Sequence, residues 1–134
     1  MTRMLFRLFS GCFLAACLLA PGTADAYDGL TFYGAELGAQ DRVNSKGVRL
    51  TGIRDLLQQD RANFHRFNRR DPQDQQDGYF RTKARCDLFQ TARITVGRQL
   101  LQRILDGSVR VVTVWVYDRN SIEVTEGLPN PDAD

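Results

Sequence analysis

The chain has 134 residues, with 18 lysines and arginines against 16 aspartates and glutamates, one histidine and three cysteines. A lone histidine and the lack of any Cys-x-x-Cys pair exclude a structural zinc site. The near-even charge total hides a basic middle, Arg42 to Arg110, and an acidic end, Val111 to Asp134; most of the positive charge is arginine, which suits bidentate contact with carboxylate or phosphate.

Residues 1–26 read as a secretory signal. Arg3 and Arg7 charge the start, Leu8 to Ala20 is an apolar run, and Ala24-Asp25-Ala26 has the small-x-small pattern of a cleavage site. Cleavage there predicts a periplasmic or secreted protein that starts at Tyr27 and keeps only Cys86, so that no internal disulfide can form. Cys86 then reads as a small buried or half-buried apolar residue. Leu14-Ala15-Ala16-Cys17 also fits a lipobox, whose alternative product is a membrane-anchored lipoprotein, but the apolar run continues past Cys17 and favours simple cleavage. That run is also too short for a membrane span: Pro21-Gly22 ends it after 13 residues, where about 18 to 20 are needed.

Residues 27–43 are expected as an extended N-terminal arm or strand around Leu30 and Phe32. Asn44-Ser45-Lys46-Gly47 combines turn formers and opens the single domain expected over 44–127. Thr51 is placed to cap a helix from Gly52 to Phe67, on which Ile53, Leu56, Leu57, Phe64 and Phe67 make an apolar stripe broken at Asp60. Residues 68–78 hold no apolar side chain and include Pro72, which predicts an exposed, mobile loop. Thr82 can cap a second helix running to Ala92 or Arg93, and a third fits Val96 to Leu105 with Asp106-Gly107 as its stop; Ile94 to Gly97 is either a break or a continuation.

Val109 to Tyr117 alternates with apolar residues in both sets, predicting a strand that is central in its sheet or covered on both faces, with Trp115 at its middle. Asp118 to Ser121 makes a turn into a half-exposed strand, Ile122 to Glu126, and 128–134 is a polar tail. The resulting fold class is α+β, about three helices packed on a small antiparallel sheet that ends in a C-terminal hairpin. Because a two-stranded hairpin is marginal alone, either the Leu30 to Phe32 segment joins it or the helices cover it.

No phosphate loop, nucleophile elbow or calcium loop is present, so no cofactor and no metal are expected. His65 has no second histidine or cysteine at ligand spacing and reads as a packing residue. Two functions remain. The favoured one is a non-enzymatic exported binding domain that meets an anionic polymer or acidic protein surface through Arg61, Arg66, Arg69 and Arg70, which run from the exposed side of the first helix into the loop. The alternative is a small hydrolase or nuclease using His65 with an arginine and a carboxylate, for which Glu36, Glu123 and Glu126 are candidates. What separates them is whether a carboxylate and an arginine lie within reach of His65 in a concave site.

The stretch Gln59 to Phe67, preceded by Asn44 to Thr51 and followed by Asp77-Gly78-Tyr79-Phe80, resembles a group of small exported proteobacterial proteins of unknown function. The resemblance covers Asn44 to Phe80. It implies a bacterial, exported setting and brings no activity with it.

Overall fold

The computed structural model describes residues 29–130. The expected signal segment with Cys17, the expected start at Tyr27 and the end of the tail, 131–134, lie outside the described residues. The Leu30 to Phe32 segment does join the sheet, within β1 (Thr31–Glu36). A 3-10 turn (Ala39–Arg42) follows, then α1 (Ile53–His65), two single turns α2 (Lys83–Cys86) and α3 (Leu88–Thr91), β2 (Arg93–Val96), α4 (Arg98–Asp106), β3 (Val111–Asp118) and β4 (Ser121–Glu126).

The four strands form one mixed sheet in the order β1-β3-β4-β2. The β3-β4 hairpin is at its centre, β1 lies antiparallel to β3, and β2 runs parallel to β4. The sheet is therefore antiparallel except at β2, which resolves the open question at Ile94: the chain breaks out of helix there and pairs Ile94 with Ile122 and Val96 with Val124. Gly107, at φ 89°, closes α4 in the left-handed conformation that costs glycine least.

Capping differs in detail from expectation. Gly52, not Thr51, occupies the position before α1, whereas Thr82 does cap α2, accepting from Arg85 N–H at 3.3 Å. The expected second helix is divided at Asp87, whose backbone stays helical, and α3 ends where Ala92 turns extended and leads into β2.

The core lies between the helices and one face of the sheet. Tyr33 and Ala35 of β1, Val112, Val114 and Val116 of β3, and Ile122 and Val124 of β4 meet Leu56 and Leu57 of α1, Phe80, Phe89 and Ile104. Alternation along β3 sends its other residues to the opposite face. Trp115 is one of them: it is half-buried, stacks on Phe32 at 5.0 Å between ring centroids and donates to Thr125 Oγ1 at 2.9 Å. It is not the centre of the core, because the helices cover only the face of Val112, Val114 and Val116.

The segment 68–78 also departs from expectation. Its polar side chains dock on the outer edge of β1 in place of another strand. Gln75 exchanges two bonds with Gly34, each 2.9 Å, and Asp74 Oδ1 accepts from Glu36 N–H at 2.9 Å. In return Glu36 Oε2 accepts from Gln73 N–H at 3.1 Å. An edge strand left bare invites pairing with another chain; here amide and carboxylate groups occupy it, so a segment with nothing apolar to bury is held by polar and charged contacts.

Candidate functional site

The site begins on the inner face of α1. Leu56, Leu57, Asp60, Arg61 and Phe64 recur at three- and four-residue spacing and are all buried, so Asp60 and Arg61 continue the apolar stripe instead of breaking it. Arg61 is therefore not on the exposed side of the helix: its side chain is 0% exposed. Its guanidinium lies between the rings of Tyr33 and Phe64, 4.2 and 4.4 Å from their centroids, and Arg70 covers the other side of Phe64 at 4.2 Å. Stacking of this kind suits the flat, weakly hydrated guanidinium.

Burying that charge requires counter-charges. Arg61 Nε donates to Asp60 Oδ2 at 2.7 Å and Nη1 to Asp77 Oδ2 at 2.8 Å. Nη2 is 3.9 Å from Asp74 Oδ1 and has no hydrogen-bond partner among the described residues. Burial works against the charged form of Arg61, but Asp60, Tyr33 and Asp77 outweigh it and hold the proton more tightly than in a free arginine. Burial raises Asp60 to about 6 although Arg61 opposes the shift.

Asp77 joins this buried pair to the surface. Burial pushes its pKa upward, yet the donors Phe80 N–H, Arg61 and His65 prevail and keep it below the usual carboxylate range. Oδ1 accepts from Phe80 N–H at 2.7 Å, and Oδ2, already bonded to Arg61, lies 2.8 Å from His65 Nε2. The imidazole is thus oriented by a carboxylate that an arginine and a backbone amide hold in place. His65 also packs edge-on against Phe64, 4.8 Å between ring centroids.

His65 lines an open cleft of about 900 Å³ between α1, the turn at Asn44 and Ser45, and the Phe80 to Cys86 segment. Its wall carries Arg66, Arg81 and Lys83, with Gln58, Gln59 and Thr82 as neutral polar groups and Asp55 as the opposing charge. Lys83 is engaged with Asp87 at 2.8 Å, whereas Arg66 and Arg81 are exposed. Cys86, also in the wall, is buried; its Sγ donates to Phe80 O at 3.3 Å, and burial pushes the thiol up to about 11, which leaves it a poor nucleophile.

Protein-family models, curated proteins and solved structures contain no match to this chain.

The four expected binding arginines thus separate. Arg61 is interior, Arg66 faces the cleft, Arg70 is stacked on Phe64, and Arg69 is exposed beside a smaller neighbouring hollow bounded by Gln40, Asn63 and Phe67. The carboxylate partner of His65 is Asp77; Glu36 pairs with Arg110, Glu126 with Arg103, and Glu123 accepts from Tyr117. Asp77 and Arg81 were the functional candidates missed from sequence. Asp77 sits in a stretch whose polarity resembles any solvated loop, and only its distance to His65 distinguishes it. Among the described residues no group of three or more histidine, cysteine or acidic side chains is arranged to hold a metal ion.

Proposed function

We propose that the chain is a small exported binding domain whose cleft beside α1 takes an anionic group of a polymer or of an acidic protein surface. Arg66 and Arg81 supply the charge and His65, fixed by Asp77, supplies a directed polar contact. The observation that carries this reading is the meeting of that oriented imidazole with two exposed guanidiniums on one concave wall. Other arginines of the basic middle are committed to backbone carbonyls and are not candidates for the contact: Arg42 and Arg49 bond carbonyls at the end of α4, and Arg54 bonds Phe89 O and Ala92 O at the end of α3.

Retention on heparin or another anionic matrix tests the reading. The double change Arg66→Gln and Arg81→Gln should lower the salt needed for elution and leave the melting temperature unchanged, with binding falling steeply as salt rises. Arg93→Gln with Arg119→Gln removes the same charge elsewhere. Equal loss from both pairs would reduce the effect to net charge and sink the cleft as the contact.

One observation favours the hydrolase alternative: a base, an orienting carboxylate and an arginine behind it meet at a cleft, the relation a general base needs. No described hydroxyl or thiol bonds to His65, so this chemistry would use His65 to deprotonate a water. Asp77→Asn and His65→Gln should then abolish turnover of a phosphodiester or ester probe. Activity that survives His65→Gln would rule this reading out.

The export half of the proposal rests on residues 1–26. Intact mass of the exported species should correspond to a start at Tyr27, and an acylated start at Cys17 would move the protein to a membrane surface. Among the described residues no helix is long and apolar enough to cross a membrane.

A further inference from the structure

Behind the cleft, a second group of carboxyls meets where the 3-10 turn, α1 and the loop converge. Asp41 is almost fully buried; its Oδ2 accepts from Gly38 N–H at 2.9 Å and its Oδ1 from Asn63 Nδ2 at 2.8 Å. The carboxyl of Asp71, from the loop, packs against Gly38, the same residue whose N–H donates to Asp41, so the two carboxyls border one glycine. Asp71 is wedged against Gly38, whose missing side chain makes room for its carboxyl. Asp71 Oδ2 is buried and has no partner among the described residues. Two carboxylates cannot remain ionised in contact without a donor between them, and both oxygens of Asp41 already face donors.

We infer that residues 71–77 form an acid-set latch, in which one proton shared between Asp41 and Asp71 fastens the loop to the turn after β1 and its loss loosens the loop. The charged surroundings are consistent with this. Asp60 approaches Asp41 from α1, and among the described residues no cation pairs with Asp41 directly: Arg61 is committed to Asp60 and Asp77, and Arg42 turns its guanidinium to Leu37 O, Ile104 O and Leu105 O. On the loop side, Asp74 Oδ2 accepts from Asp71 N–H at 2.7 Å, and on β1 Glu36 is paired with Arg110. Burial, then repulsion from Asp60, raise Asp41 to about 7, with Asp71 adding to the rise against the opposing bonds from Asn63 and Gly38.

The consequence has a definite sign. A carboxyl whose pKa is raised by folding holds its proton better in the folded chain, so its stabilising effect is complete below the unfolded value and is lost as pH rises toward the folded one. For Asp41 that loss extends to about 7. The loop carries Asp77, so loosening it also frees the group that orients His65.

The test uses thermal melts of the full chain from about pH 5 to about pH 8, with hydrogen exchange at Gln73, Asp74 and Gln75, corrected for the intrinsic rate. The melting temperature should fall across that range while these three amides lose protection. Asp71→Asn places an amide donor where the shared proton sits and cannot ionise, so it should flatten the decline, raise the melting temperature at the alkaline end and preserve loop protection. Asp41→Asn sets an amide against the donors of Gly38 and Asn63 and should destabilise at every pH. Carboxyl carbon resonances give a readout independent of folding: Asp41 should titrate near neutrality and move to lower pH when Asp71 is replaced by asparagine, while burial and Asp60 keep it above the ordinary aspartate range. Ordinary titration of both, or an unchanged pH slope in Asp71→Asn, would overturn the latch.

Discussion

At Arg61 a full positive charge occupies a position that its helix reserves for a side chain in the interior. Removing it leaves Asp60 and Asp77 buried with their counter-charge gone, a change that typically costs about 3 to 5 kcal/mol, against the roughly 5 to 15 kcal/mol of a whole domain. Arg61→Ala should therefore unfold at markedly lower denaturant, and Arg61→Lys should rescue little, because an ammonium cannot engage two carboxylates and two rings at once. Arg66→Ala, on the exposed cleft wall, should stay within about 0.5 kcal/mol of the parent. Similar midpoints for Arg61→Ala and Arg66→Ala in urea would mean the buried pairing contributes nothing. His65 and Asp77 also illustrate what was readable at this scale. The lone imidazole was visible as the candidate acid or base, but its carboxylate lies 12 residues further along the chain, across a loop whose path no local pattern specifies.

Among the elements, β3 carries a clear signal with an ambiguous face. Both of its alternating sets are apolar, so periodicity predicts the strand without saying which side the helices cover. The covered side holds Val112, Val114 and Val116, and the other holds Trp115 with Phe32. Phe89, fully buried and stacked on Phe80 at 4.5 Å, lies in the core and Trp115 does not. Phe89→Ala should cost about 3 to 5 kcal/mol, and Trp115→Ala less, since its ring is only partly buried. Calorimetry of the two variants decides the matter; a larger loss from Trp115→Ala would show that the outer face of the sheet carries more of the stability than its burial implies. The short β2 was not legible as a strand because four residues between two helical patterns carry too little periodicity, and its pairing with β4 is a contact between segments about 28 residues apart.

For the molecule as a whole, opposing carboxyl shifts shape the stability profile. Asp77, held below the usual range, contributes stability above the unfolded carboxylate value that is lost as pH falls through its folded one, whereas Asp41 and Asp60, raised to about 7 and about 6, lose theirs as pH rises toward those values. Denaturant unfolding across pH should give a maximum near the ordinary carboxylate value, about 4, where the two limbs meet. A plateau reaching to alkaline pH would contradict the buried carboxyl arrangement.

Local chemistry in the sequence was enough for the α+β class, the positions of the main helices and hairpin, and the glycine stop of α4, because alternation, helical spacing and turn residues act over a few neighbours. Which arginines face outward, which aspartate meets His65 and where segment 68–78 docks were decided only by the tertiary structure. A buried charge is tolerable only when partners from distant segments converge on it, and that convergence has no local signature in the chain.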